Sequence, residues 1–183
     1  FQEDSLVRKS TLKIENSRLL INQQKSKFSL QTLDPSGFPL ININNERKAT
    51  LNISQQKLKT LFDSTSFSMA TQDVRYYLNG IYIHKEDKKL VSVATDGHRL
   101  ARTSINLPSG ADLISGVIVP RKAIYEIRKL IEDYSGDEEV SVSISDTKIR
   151  VSVSDTTITS KLIDGNFPYY EKVIPKENKN IIS

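Results

Sequence analysis

The chain has 183 residues, 37% hydrophobic and 26% charged, with a formal net charge of +4 and no cysteine. That composition is ordinary for globular material with room for one core and more. It excludes disulfides and thiolate metal sites, and fits the cytoplasm as the expected location. No stretch approaches the roughly 18 apolar residues of a membrane span, and Phe1 to Ile14 carry charge throughout, unlike a signal peptide.

Up to about Leu33 the pattern is strand-like. Thr11-Leu-Lys-Ile-Glu, Leu19-Leu-Ile-Asn and Lys27-Phe-Ser-Leu-Gln-Thr-Leu alternate apolar and polar residues, a ladder with one buried face that needs a partner. Residues 40–48 are polar without a period and read as a linker. A short strand at 49–53 follows, with Ser54 as N-cap of a helix whose Leu58, Leu61 and Phe62 share one face. A second short helical segment is predicted over 69–73. Strands at 77–84 and 89–94 join through the charged turn Glu86-Asp-Lys-Lys89, and further strands are predicted at 99–104 and 116–119. Pro120 opens a helix over 121–134, with Ala123, Ile124, Ile127, Leu130, Ile131 and Tyr134 as its buried stripe and Gly136-Asp137 as its end. Strands at 140–145, 148–154 and 157–163 turn at Asp146-Thr147 and Asp155-Thr156. The fold class is α+β, antiparallel sheets with about two helices per module.

The chain also repeats itself. Lys27-Phe-Ser-Leu-Gln-Thr-Leu-Asp-Pro-Ser-Gly-Phe38-Pro39 and Thr157-Ile-Thr-Ser-Lys-Leu-Ile-Asp-Gly-Asn-Phe167-Pro168 share an alternating run, an apolar-Asp pair, a Gly-containing turn and Phe-Pro. The offset is about 130 residues, and Asn52-Ile-Ser54 matches Ile181-Ile-Ser183 at the same offset, which is a normal module length. The expected organisation is the end of one module at 1–48, a complete one at 49–177 and the start of another at 178–183. The chain then reads as a piece of a longer protein built of tandem modules.

Three places could carry chemistry. Opposite the apolar stripe of the second helix lie Arg121, Lys122, Tyr125, Arg128 and Lys129, and the first helix shows Lys57 and Lys59. These admit two readings, a solvated helix face or a surface for loose, salt-sensitive phosphate contacts. Ala94-Thr-Asp-Gly-His-Arg-Leu-Ala101 contains a turn at Asp96-Gly97, read as a structural turn or a partner-binding rim. An acid/base pair of Asp96 and His98 is the weakest reading, since no nucleophile accompanies it. With two histidines and no cysteine, metal sites are poorly supplied and none is expected. Asp73-Val-Arg-Tyr-Tyr-Leu-Asn-Gly80 places two tyrosines on opposite sides of a predicted strand, one for the core and one for solvent or ligand. His84, in a strand beside the charged turn, reads as incidental.

Gln72-Asp-Val-Arg-Tyr-Tyr-Leu-Asn-Gly80, Ala94-Thr-Asp-Gly-His-Arg-Leu-Ala101, Val119-Pro-Arg-Lys122 and Leu162-Ile-Asp-Gly-Asn-Phe-Pro-Tyr-Tyr170 closely resemble the bacterial sliding-clamp family, the beta subunit of DNA polymerase III. The resemblance covers the whole chain. It implies a DNA-clamp fold, a head-to-tail homodimeric ring of three similar domains per subunit, and a non-catalytic processivity role without cofactors. It implies a pocket for short peptides of the polymerase alpha subunit, the clamp loader and repair polymerases at Arg75, Leu78, Thr95, Gly97, His98, Arg99, Leu100 and Pro175. It implies contacts to double-stranded DNA at Gln72, Tyr76, Tyr77, Arg121 and Lys122, with Lys57 and Lys59 added by their helical setting. It implies a subunit interface at Lys25, Lys27, Phe28 and Leu30, where two lysines replace the arginines frequent in the family and weaken bidentate pairing. The rival is a generic protein-interaction module with no DNA role.

Overall fold

The computed structural model describes residues 9–39, 49–134 and 139–175. The chain divides into two compact units, Phe1–Ile41 and Asn42–Ser183. The expected linker at 40–48, the helix end at 136–137 and the module start at 178–183 lie outside the described residues.

The first unit is an antiparallel meander of β1 (Thr11–Glu15), β2 (Arg18–Gln23) and β3 (Ser26–Gln31). Its register sets Ile21 opposite Leu12 and Phe28, and Leu19 opposite Ile14 and Leu30. Directly opposed residues share a face, so these six form one apolar surface. Leu12, Ile14, Phe28 and Leu30 remain exposed. Within this unit no described residue covers the predicted buried face.

The second unit runs strand, helix, three strands, twice. The first half is β4 (Ala49–Ser54), α1 (Gln55–Asp63), β5 (Gly80–Glu86), β6 (Lys89–Thr95) and β7 (Leu100–Asn106). The second is β8 (Val117–Pro120), α2 (Arg121–Asp133), β9 (Glu139–Ile144), β10 (Lys148–Val153) and β11 (Thr156–Lys161). The opening strands are exchanged. β4 pairs with β9, giving the order β11-β10-β9-β4, and β8 pairs with β5, giving β7-β6-β5-β8. Each half thereby completes the sheet of the other. Gly80 sits where β5 meets β8, and a Cβ there would come within 2.3 Å of the Val119 carbonyl oxygen.

Both helices lay their apolar faces on these sheets in one core. Leu58, Leu61 and Phe62 come from α1, and Ala123, Ile124, Ile127, Leu130 and Ile131 from α2. Every residue from Leu90 to Ala94 is buried, because both faces of β6 are covered. The helices lie side by side and antiparallel. Lys59 Nζ reaches Glu132 at 2.5 Å and Asp63 at 3.3 Å, and Arg128 Nε stands 2.6 Å from Asp63 in an ion pair without hydrogen-bond angles. The buried Gln55 amide donates to the carbonyls of Ile131 and Tyr134, which the end of α2 leaves unpaired.

Two predicted elements differ. Residues 69–73 are not helical; Ala70 N–H bonds the Leu78 carbonyl at 3.0 Å, and Gln72 has φ of 55°. The helical turn lies earlier, at Ser66–Ser68. Tyr76–Leu78 is a 3-10 turn rather than the start of a strand, because the Asn79 side chain brackets Asp73 at both its N–H and its carbonyl and closes the loop. Ser54 stands at the N-cap of α1, but its hydroxyl makes no capping bond.

Replacing Gln55 by Leu fills the same space and strands two buried carbonyls. The expected loss is about 1–3 kcal/mol, read as a lower urea midpoint with an unchanged slope. An unchanged midpoint would show that the helix pair stands without this amide.

Candidate functional site

Three segments converge on one cleft of about 440 Å³. The turn between β6 and β7 gives Thr95, Gly97, His98, Arg99 and Leu100; the 3-10 turn before β5 gives Arg75, Tyr77 and Leu78; the segment after β11 gives Pro168, Tyr169, Tyr170 and Val173. Leu78 and Tyr170 are buried at its floor and Leu100 is half-buried, while Tyr169 and Val173 are exposed. The floor is apolar, and the rim carries two guanidinium groups, each paired with a carboxylate. Such a cleft suits a short extended segment carrying an apolar anchor.

Local hydrogen bonds fix the rim. Asp96 Oδ1 accepts the backbone N–H of His98 at 2.9 Å and of Arg99 at 3.0 Å, and Oδ2 accepts Arg99 Nε at 3.0 Å. These backbone bonds, foremost, pull the Asp96 carboxyl down to about 2. Thr95 Oγ1 donates to the Arg99 carbonyl at 2.7 Å and accepts Gly97 N–H at 3.1 Å. Gly97 has φ of 87°, and a Cβ there would lie 3.1 Å from Arg75 Nη1. The guanidinium of Arg75 holds Asp73 through two bonds, 3.0 and 2.7 Å, and pulls its carboxyl down to about 2. The same guanidinium donates to the Asp96 carbonyl at 3.3 Å, tying the two turns together.

This geometry decides the Asp96–His98 question. The carboxylate is ionised at neutral pH and committed to two backbone amides and Arg99, so it does not orient His98 as a base. Among the described residues no group of three or more His, Asp or Glu side chains could hold a metal ion, and no helix is long and apolar enough to cross a membrane.

The structure brings Arg75, Leu78, Thr95, Gly97, His98, Arg99 and Leu100 together in the cleft. Pro175 is not there; it lines a shallow groove beside it with Tyr169, Glu171, Lys172 and Ile174, because the turn at Tyr170–Val173 carries the chain away. Tyr77, expected on the DNA-facing surface, lines the cleft, while Tyr76 packs edge-on against it at 5.8 Å and is exposed. Gln72 is exposed in the preceding loop. Sequence reasoning missed Pro168, Tyr169, Tyr170 and Val173. For the first three the signal is the Phe-Pro-Tyr-Tyr run, whose Phe-Pro marks the repeat and does not by itself mark a site.

The helix cations are less free than expected. Arg121 Nη1 donates to the carbonyls of Met69 at 3.2 Å and Ala70 at 3.4 Å, and its guanidinium lies 5.1 Å from the Tyr125 ring centroid. Lys59 is held by two carboxylates, which raise its pKa, Glu132 first and then Asp63. Among the described residues Lys57, Lys122 and Lys129 are exposed and sit in no ion pair. In the first unit, Lys27, Phe28 and Leu30 lie exposed on β3, an edge strand, and Lys25 in the turn before it.

The doubled strand–helix–three-strand unit with its paired helices has the DNA-clamp fold. A Pseudomonas aeruginosa DNA polymerase sliding clamp solved with a ligand superposes with a TM-score of 0.85 at 40% identity, over 93% of this chain and 46% of that one. A Bartonella birtlesii sliding clamp bound to griselimycin gives 0.86 at 43%, over 93% and 46%. The profile of the DNA polymerase III beta subunit central domain matches residues 52–169. The beta sliding clamps of Caulobacter vibrioides strain NA1000 and Escherichia coli K12 are 40% and 43% identical, over 92% and 90% of this chain. The chain belongs to the DNA polymerase III beta subunit family, the beta sliding clamps. It spans about half the length of these relatives, 46% and 44%.

The rim has a pH signature. A carboxyl held low stabilises its turn above its ordinary value of 3.8 and loses that contribution as pH falls through about 2. The His98 and Arg99 amide resonances should therefore hold their positions down to pH 4 and move only towards pH 2. A midpoint near 3.8 would show that these bonds do not persist in solution.

Proposed function

We propose that this chain is the central part of a DNA clamp, a cytoplasmic processivity subunit that makes and breaks no bond and serves a nucleotidyltransferase complex. In this reading 1–48 ends a first domain, 49–177 is the second and 178–183 begins a third. Three such domains per subunit, in a head-to-tail homodimer, surround double-stranded DNA. The exposed edge of β3, with Lys25, Lys27, Phe28 and Leu30, faces the partner subunit.

The observation that supports the peptide role is the single cleft in which Leu78, Leu100 and Tyr170 form an apolar floor under a rim held by Asp73 and Asp96. Its occupant would be a short linear segment of the polymerase alpha subunit, the clamp loader or a repair polymerase. Griselimycin, bound by the Bartonella clamp, is a candidate small ligand for it. The helix pair supports the DNA role less strongly, since only part of its positive charge is unpaired. Loose, sequence-independent phosphate contacts suit sliding.

Two measurements test this in the full-length protein. Removing an apolar anchor costs on the order of 1–3 kcal/mol, roughly ten- to a hundredfold in affinity. Leu100→Ala should weaken a fluorescent polymerase-derived peptide by that factor, and the 183-residue chain alone should bind it weakly. Equal affinity of wild type and variant would remove the cleft from the site. Charge reversal at Lys57 and Lys122 should reduce the slope of log affinity for DNA against log salt by about one for each phosphate no longer bound. An unchanged slope would favour the interaction module with no DNA role.

A further inference from the structure

The segment 164–175 forms the third wall of the cleft, yet backbone bonds barely hold it. Ile163 N–H bonds the Ile118 carbonyl at 2.9 Å; among the described residues no backbone hydrogen bond beyond it ties 164–175 to a sheet. Side chains do that work. Phe167 and Tyr170 turn to the outer face of β5, β6 and β7 and pack with Val91 and Val93, while Pro168, Tyr169 and Val173 line the cleft.

Resting on the reading of this cleft as a ligand site, we infer that Tyr82 and His84, which line no part of it, are positioning residues that hold its third wall. The Tyr82 ring stacks on Phe167 at 4.8 Å and 7°, and on His84 at 4.9 Å and 25°. His84 Nδ1 lies 3.1 Å from the Lys85 carbonyl, which only accepts, so Nδ1 carries the hydrogen. Nε2 is thereby left to accept the Tyr170 hydroxyl at 2.9 Å. The Arg102 guanidinium donates to Glu86 at 2.6 Å on the same face. The Tyr170 hydroxyl thus has a fixed acceptor while the residue is only 5% exposed. Gly116 makes room for the stack, since a Cβ there would stand 2.4 Å from the Tyr82 hydroxyl.

Hydrogen exchange in the 183-residue chain tests the latch. Tyr170→Phe and His84→Phe each keep an aromatic ring and break the bond they share, and His84→Phe loses the Lys85 bond as well. Each should speed exchange of the amides at 166–173 by roughly fivefold or more, and the double variant should be no faster than His84→Phe alone. Unchanged exchange, or effects that simply multiply in the double variant, would overturn the inference. In the full-length protein, Tyr82→Ala with His84→Ala should undock the wall and weaken a fluorescent polymerase-derived peptide at least tenfold. Saturating peptide should then restore slow exchange at 166–173, since binding draws the population back to the docked state. Faster exchange with unaltered peptide affinity would overturn the positioning role. A wild type that binds no peptide, with exchange responding as described, would support the latch and overturn the reading of the cleft.

Discussion

The exchange of opening strands is the constraint on which the second unit depends. β4 belongs to the first half by sequence and to the sheet of the second half by pairing, and β8 does the reverse. Neither half can close its sheet alone, so one core receives both helices. The exchange also fixes where the helices go. A helix that follows β4 or β8 must cross back over the joined sheets, which sets α1 and α2 side by side. Their polar links, from Gln55 to the end of α2 and from Lys59 and Asp63 to Glu132 and Arg128, follow from that placement.

The cleft follows from the same topology one layer out. With the helices on the inner face, the outer face of β5, β6 and β7 is free for the chain to cover after β11. Val91 and Val93 supply apolar ground, and Phe167 and Tyr170 settle on it. The cleft is what remains between that covering segment and the two turns at the strand ends. The turns are stiff because each has an internal carboxylate, Asp73 or Asp96, and because Arg75 spans them. A rim already fixed by its own bonds spares a ligand the ordering of its site.

Much of this was legible in the sequence because periodicity reports burial. The stripe of α2, the Leu58, Leu61 and Phe62 face of α1 and the strand pairs after residue 139 were all readable that way. The pairing of β4 with β9 was not, since nothing local in Ala49–Ser54 names its partner. Tyr76 and Tyr77 look like strand by composition, and the bracket from Asn79 to Asp73, a contact across the loop, makes them a turn. The cleft residues carried over by family resemblance converge except Pro175, which the turn at Tyr170–Val173 directs elsewhere. His84 looks incidental in the sequence because its partner, Tyr170, is 86 residues away.

The two proposed surfaces differ in how their charges are spent, and the difference suits the roles proposed for them. At the cleft rim Arg75 and Arg99 are each fixed by a carboxylate, which holds them in one geometry for a defined ligand. On the helix pair the cations tied by carboxylates, Lys59 and Arg128, are half-buried and serve the packing of α1 on α2. Arg121 is committed to backbone carbonyls. What faces outward unpaired is lysine, at positions 57, 122 and 129. A lysine ammonium is a mobile, strongly hydrated point charge with no fixed fork. A few such charges attract a phosphate backbone without binding it in one register, and that is the condition for a surface over which DNA slides.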